Sequence, residues 1–367
     1  MNYEESAGTV TPTTPATRMR AEIEEQPQAL RATIDALLPR AGEITALARE
    51  TRQVLFIARG TSDNAAVYGS YLIQVRAGRL ATLGSPSVAT AYRSRMDLSG
   101  VLAVALSQSG RTEEIVETLS WAADCGAKTL AVTNGAGSPL AEAADVAFVT
   151  EAGVEQAVPA TKTFTTQLAA LAVVGIGLAG DAEGLAAGEE PLDAAELRAV
   201  PDEIERLLAS PMDLDSVVGE LADVQGVVVS GRGLAYSAAL ELALKLKEAC
   251  YLHAMGLSFA DLLHGPIAVV DERTPAIIMA AEAGPTLDGA VALAGRVTDA
   301  GARAYGIGGG SALARVSSLA LPGPRLPEWL APIGLITVGQ LLTEALARRL
   351  GLNPDTPRGL SKVTQTA

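Results

Sequence analysis

Three stretches of the chain carry residue types able to do chemistry together. The first is Ser107-Gln108-Ser109-Gly110-Arg111-Thr112, which follows the apolar run Val101–Leu106 and precedes a helix-type segment from Glu113. A strand, a short hydroxyl-rich loop and a helix N-terminus can hold an anion. Unpaired backbone N–H groups point outward there, and the helix dipole adds partial positive charge. Ser107, Ser109 and Thr112 add neutral hydrogen bonds, and Arg111 is the loop's only cation. The expected occupant is a small phosphorylated ligand. Serine and threonine are also ordinary helix N-caps, so the loop alone leaves a structural reading open.

The second stretch is a helix expected over Tyr236 to Leu252. Glu241, Lys245 and Glu248 share one face of it, at i,i+4 and i,i+3 spacing. Such a row is usually a solvated ion-pair stripe. Here its neighbours are Ala238, Ala239, Leu240, Leu242, Ala243, Leu244, Leu246 and Ala249, so the charges are expected to line a cleft. One carboxylate with an ammonium beside it suits proton transfer between adjacent carbons. The third stretch presents His264, after a possible capping box Ser258-Phe259-Ala260-Asp261 and before Gly265-Pro266. An imidazole suits proton exchange near neutral pH. The other histidine, His253, is expected to be structural.

Composition narrows what these groups could act on. A net charge of −14 opposes nucleic-acid and membrane-surface binding. The chain is 49% hydrophobic, 4% aromatic and holds 36 glycines, which suits close packing of helices on sheets. Cys125 and Cys250 read as reduced core thiols. Two histidines and two cysteines give no ligand-like cluster, so neither metal nor cofactor is expected. No apolar run reaches transmembrane length and no signal-peptide core is visible, so the expected location is cytoplasmic.

The elements that must position these residues follow a strand–helix rhythm. Residues 1–17 read as a disordered tail, and 18–50 as a helical segment interrupted by Pro27 and Pro39. Strands are expected at Val54–Ala58, Leu80–Gly84, Val101–Leu106, Thr129–Thr133 and Val146–Thr150. Helices are expected at Asp63–Arg76, Glu113–Cys125 and Thr163–Ala179. This implies a parallel, doubly wound sheet with ligands at the carboxyl ends of its strands. After a Gly/Asp/Glu-rich stretch and connecting helices at Leu197–Leu208 and Leu214–Leu221, the pattern restarts at Gly226. Val101–Thr112 aligns without a gap with Pro275–Thr286, and Gly126-Ala127-Lys128 matches Gly301-Ala302-Arg303 with one extra residue. The chain is therefore an internal duplication. In the second copy the loop reads Ala281-Glu282-Ala283-Gly284-Pro285-Thr286, with both serines lost and an acid gained, so only the first copy is expected to bind an anion.

With these motifs in order, the chain resembles the sugar isomerase (SIS) domain family, and most of all the tandem isomerase half of glucosamine-6-phosphate synthase and stand-alone relatives that include deaminases. The resemblance is carried by residues 19–27, by Gly60-Thr61-Ser62, by the Ser107–Thr112 loop and by Ala160-Thr161-Lys162-Thr163-Phe164-Thr165-Thr166-Gln167. It continues through Ala243–Glu248, His264-Gly265-Pro266 and residues 357–364. It implies two tandem flavodoxin-like α/β/α domains, at 51–185 and 223–350, joined by linker helices at 186–222 and followed by an active-site tail at 351–367. It implies that Gly60, Thr61, Ser62, Ser107, Gln108, Ser109, Thr112, Val158, Ala160 and Ser361 bind a sugar 6-phosphate. Glu248 would move a proton between C1 and C2, with Lys245 beside it. His264 would open the sugar ring, often across a dimer interface in relatives, and Lys362 would reach the open-chain carbonyl, for which lysine chemistry includes a Schiff base.

Some residues depart from the synthase pattern. Asp261-Leu262-Leu263-His264 stands for Glu-Leu-Lys-His, Ala160-Thr161-Lys162 for Ser-Thr-Lys, and Leu360-Ser361-Lys362 for Leu-Ala-Lys. No glutaminase-like segment led by a cysteine precedes the isomerase region, so glutamine is not the expected nitrogen donor. The expected activity is conversion of glucosamine 6-phosphate to fructose 6-phosphate and ammonia by a homodimer. Alternatives are a plain isomerase, a fructosamine-phosphate deglycase, one half of a split synthase, or a non-catalytic sugar-phosphate sensor.

Overall fold

The computed structural model describes residues 16–180 and 192–362. Most of the expected tail at 1–17, the linker stretch at 181–191 and the end of the C-terminal segment at 363–367 lie outside the described residues.

The described chain opens with helices α1 (Arg18–Glu24), α2 (Gln26–Leu37) and α3 (Ala41–Leu47). The Thr17 side chain caps α1 by accepting from the Arg20 N–H. Pro27 falls in the first turn of α2, where its missing N–H costs no hydrogen bond, and Pro39 falls in a 3-10 turn at Leu38–Arg40. The first α/β unit then runs β1 (Gln53–Ile57), α4 (Thr61–Arg76), β2 (Leu80–Leu83), α5 (Ser87–Thr90), β3 (Val101–Ser107), α6 (Glu113–Asp124), β4 (Lys128–Thr133), α7 (Pro139–Ala143), β5 (Val146–Val149) and α8 (Lys162–Ala179). Helices α9 (Ala194–Ala209) and α10 (Leu214–Leu221) lead to the second unit. It runs β6 (Gly226–Gly231), α11 (Ala235–Cys250), β7 (His253–Ser258), α12 (Phe259–Leu263), β8 (Ala276–Ala280), α13 (Leu287–Asp299), β9 (Ala304–Gly308), α14 (Gly310–Ala314), β10 (Leu319–Leu321) and α15 (Ala331–Arg349).

The two sheets have the same topology. Strand order is β2-β1-β3-β4-β5 in the first and β7-β6-β8-β9-β10 in the second, with every pairing between these strands parallel. The central strands are covered on both faces, which is why Val101–Leu106 and Ala276–Ala280 are apolar without alternation. In each sheet the order reverses between the first and third strands of the unit, and the crevice at that switch point is where doubly wound sheets bind ligands. The duplication read from Val101–Thr112 and Pro275–Thr286 is thus a duplication of fold: β3 and α6 in one copy are β8 and α13 in the other.

Among the elements without a sequence-based placement are β7 and α15. Strand β7 is a half-exposed edge strand, and α15 is buried along almost its whole length, so neither shows a strong amphipathic period. Helix α11 stops at Cys250, short of the expected Leu252, because Tyr251 turns left-handed at φ +56° and the chain enters β7.

One apolar core runs through both units. Phe56, Leu168 and Leu171 of the first belong to the same buried cluster as Leu242, Ile336 and Val338 of the second. Among the described residues α8 is the one helix long and apolar enough to cross a membrane by length and composition, and it lies inside this core with 89% of that span buried. Cys250 is buried, Cys125 is half-buried, and both are free thiols.

Candidate active site

A cavity of about 340 Å³ opens at the switch point of the first sheet. Two helices begin at its wall. Helix α4 starts after Gly60, whose φ of +57° lets the chain leave β1 sharply, and α6 starts after the Ser107–Thr112 loop. Their first-turn N–H groups and positive dipole ends therefore converge on one space.

The loop is held from behind. Gln108 accepts from the Asn134 N–H at 3.0 Å and Gly110 from the Leu140 N–H at 3.1 Å. Gly110 has φ +64°, and a Cβ there would lie 2.0 Å from Ser138 Oγ, so only glycine fits. The capping explanation of the hydroxyls fails at Thr112, which is the N-cap of α6 yet makes no side-chain capping bond. Ser107 Oγ accepts from the Gly110 N–H, and Ser109 Oγ from the Arg111 N–H, both at 3.2 Å. Ser62, on α4, is buried and accepts from Gln167 Nε2 of α8 at 3.0 Å, which explains what the Ala160–Gln167 segment contributes.

The opposite wall comes from the second unit. Helix α11 brings Lys245 and Glu248 to the cavity, and Glu241 stands behind them, fully buried. Glu241 accepts from Thr61 Oγ1 at 3.0 Å and Asn64 Nδ2 at 2.7 Å, both on α4 of the first unit. Lys245 Nζ donates to Thr61 Oγ1 at 3.1 Å and to Glu248 Oε2 at 2.5 Å, and lies 3.4 Å from Glu241 Oε1. Burial pushes the Glu241 carboxyl up to about 7 despite Lys245. Burial also works against the charge on Lys245, but Glu241 and Glu248 outweigh it and its pKa is raised. The ammonium thus fixes one oxygen of Glu248, whose side chain is 23% exposed, and leaves Oε1 without a hydrogen-bond partner among the described residues.

The C-terminal segment closes the third side. Leu360, Ser361 and Lys362 line the cavity together with Val158 and Ala160. Lys362 Nζ donates to Glu155 Oε2 at 2.6 Å and to the Ala157 carbonyl at 2.7 Å. Glu155 is buried and also accepts from the Thr161 and Thr163 N–H groups and from Thr163 Oγ1. Burial alone would raise its pKa; Lys362 and these donors reverse that and hold it below the ordinary carboxylate value. The segment is tied down at Asp355, which accepts from the Arg18 and Met19 N–H groups at the start of α1. Arg358 is held by Tyr251, whose oxygen accepts the Arg358 N–H and whose ring lies 4.2 Å from the guanidinium.

The structure therefore brings Gly60, Thr61, Ser62, Ser107, Gln108, Ser109, Thr112, Val158, Ala160, Lys245, Glu248, Ser361 and Lys362 to one cavity. It does not bring His264. That residue ends α12 on the outer face, exposed, outside the cavity of its own chain, although the expected Ser258–Asp261 capping contacts do form. His253 is exposed at the start of β7. Glu155, Asn64 and Arg59 belong to the site without having been singled out in the sequence. No group of three His, Cys, Asp or Glu able to hold a metal ion occurs among the described residues.

Two parallel 2-1-3-4-5 sheets with a shared core and a cavity at the first switch point define a tandem SIS-domain protein: the SIS domain model matches residues 47–176 and 220–347, and the chain belongs to that family. It is 35% identical over 354 residues to the glutamine–fructose-6-phosphate aminotransferase (isomerizing) of Thermococcus kodakarensis, covering 94% of this chain and 57% of that protein. The chain thus spans little more than half the length of that relative. Among solved structures, the C-terminal domain of glucosamine-fructose-6-phosphate aminotransferase from Francisella tularensis superposes with a TM-score of 0.82 at 29% identity, over 95% of this chain and 100% of that one. A candidate phosphosugar isomerase from Silicibacter pomeroyi superposes with a TM-score of 0.83 at 31% identity, over 93% and 100% respectively.

Proposed function

We propose that the chain interconverts amino-sugar and keto-sugar 6-phosphates, and that it acts as an isomerising deaminase taking glucosamine 6-phosphate to fructose 6-phosphate and ammonia. The observation that carries this reading is the meeting, in one cavity, of an anion loop from the first unit, a lysine-paired carboxylate from the second and the Lys362 ammonium. The phosphate rests on the Ser107–Thr112 loop and the start of α4. Ring opening breaks the C1–O5 bond, with the O1 proton leaving and O5 gaining one. Glu248 Oε1 then takes the C2 proton; the electron pair forms the C1=C2 bond and O1 gains a proton, giving an enolamine. Lys362, held in place by Glu155 and the Ala157 carbonyl, donates to O1 in this step. Return of the proton to C1 gives an iminium at C2, and water adds there as ammonia leaves. The other chemistry supported by a specific observation is the synthetic direction with nitrogen from a separate source, since the similar Thermococcus protein is an aminotransferase.

The test is to incubate the protein with glucosamine 6-phosphate and follow ammonia and fructose 6-phosphate, and to run fructose 6-phosphate with ammonium salts in reverse. Tight binding of hexose 6-phosphates without turnover in either direction would sink the enzyme reading and favour a sensor.

A second copy of the chain is proposed to supply the missing imidazole. His264 is exposed, as are Leu263 and Val269 near it in sequence and Met255 of the edge strand β7. Glu248→Gln and His264→Asn are each expected to be inactive. Unfolding and refolding them together is expected to restore roughly a quarter of wild-type activity, since one site in four pairs two intact residues when subunits mix at random. No recovery in a mixture shown to contain heterodimers would remove the shared-site proposal.

A further inference from the structure

The cavity wall also holds a guanidinium to which no role is given above. Arg59 sits between β1 and the start of α4 and lines the cavity beside the Ser107–Thr112 loop. Its Nε and Nη2 donate to the two carboxylate oxygens of Glu114, both at 3.0 Å. This two-point pairing fixes the plane of the guanidinium as well as its position. Glu114 lies in the first turn of α6, directly after the loop. Its side chain is 13% exposed against 46% for Arg59, so the carboxylate faces inward and the guanidinium reaches the open space. The pairing uses one edge of the fork. Nη1 makes no hydrogen bond among the described residues, and one N–H of Nη2 is also left over.

Charge gives that unused edge a purpose. The helix that would receive the phosphate carries Glu113 and Glu114 in its first turn, and acids there oppose a second anion at the same N-terminus. The loop's hydroxyls bring no charge to the cavity, and its one cation, Arg111, does not line it. The other two cations at the cavity are engaged: Lys245 is shared among Thr61, Glu241 and Glu248, and Lys362 is held by Glu155 and the Ala157 carbonyl. Arg59 cancels Glu114 with one edge and has a second edge for an incoming oxyanion.

We infer that Arg59 is a further substrate-binding residue that sets the preference for a phosphorylated ligand: its Nη1 edge donates to a phosphate oxygen on the loop, while Glu114 keeps the guanidinium plane turned to the cavity. The inference rests on the phosphate-end reading above. Because the pair is partly exposed, it adds little to folding, and substitution of Arg59 leaves the unfolding temperature of the free protein unchanged within a degree or so.

The experiment uses glucitol 6-phosphate, an unreactive open-chain probe, with glucitol as its uncharged control, titrated calorimetrically into wild type, Arg59→Gln and Arg59→Lys. Wild type binds glucitol 6-phosphate far better than glucitol. Arg59→Gln weakens the phosphorylated probe about tenfold and leaves glucitol unchanged, the size expected for one hydrogen bond to a charged group. Arg59→Lys recovers little of the loss, because an ammonium cannot hold Glu114 and an oxyanion in one plane. Wild-type affinity for glucitol 6-phosphate in Arg59→Gln overturns the role of Arg59 and leaves the phosphate loop standing. Failure of wild type to prefer the phosphorylated probe overturns both.

Discussion

Glu248→Gln is expected to lower turnover of the sugar phosphate by roughly a thousandfold or more while leaving its binding within a fewfold of wild type. Glutamine keeps the shape of the side chain, and its carbonyl oxygen can still accept from Lys245 Nζ, which lies 2.5 Å from Glu248 Oε2 in the native protein. What it loses is the second oxygen, the one with no partner among the described residues, as a base. Exchange of the C2 proton with solvent deuterium, followed by mass spectrometry, reads this step apart from ring opening and ammonia release. Exchange at near wild-type rate in Glu248→Gln would move the base to another residue.

Lys245→Met is expected to be the most destabilising single change at the site, by about 3–5 kcal/mol in urea unfolding. It leaves the buried Glu241 with only Thr61 and Asn64 as partners and removes the cation that Glu248 faces. Adding Glu241→Gln to Lys245→Met is expected to return much of the loss, because the uncompensated charge is then gone. The same carboxylate predicts a pH signature. Its pKa is raised from 4.5 to about 7 in the folded protein, so the folded state binds more protons than the unfolded state between those values. Its contribution to stability is therefore fully present below about 4.5, falls as pH rises toward 7 and is lost above it. Subtracting the stability of Glu241→Gln from that of wild type isolates this trend. A difference that stays flat from pH 4.5 to 7 would mean Glu241 remains ionised throughout.

How much of this was legible in the sequence depended on how far apart the interacting residues lie. Ser107–Thr112 could be read because strand, loop and helix are consecutive, and because Ala281–Thr286 supplies a second copy for comparison. Glu241, Lys245 and Glu248 could be placed on one helix face from their spacing alone. Their contact with Thr61 and Asn64 could not, since nothing local records which helix of the first unit packs against α11. Glu155 was invisible for the same reason: its partner Lys362 lies far down the chain, and its other donors depend on the turn into α8. Arg59 reads as an ordinary surface cation until the fold sets it against Glu114. Strand β7 and helix α15 escaped because a half-exposed edge and a helix buried nearly all round both lack the period that marks simpler elements. His264 was the reverse case. Its residue type and loop were plain, but the fold leaves it outside the cavity of its own chain.

The bonds from Thr61 and Asn64 to Glu241 have a mechanical consequence. They join α4, which starts beside the anion loop, to the helix that carries Glu248, through a carboxyl group that water does not reach. With the shared core behind them, the two halves have no hinge at this point, and the span from loop to carboxylate is set when the chain folds. The cavity then acts as a gauge of length. A ligand one carbon shorter or longer than that span is therefore expected to turn over poorly, since seating its anion on the loop would draw its reacting carbon away from Glu248.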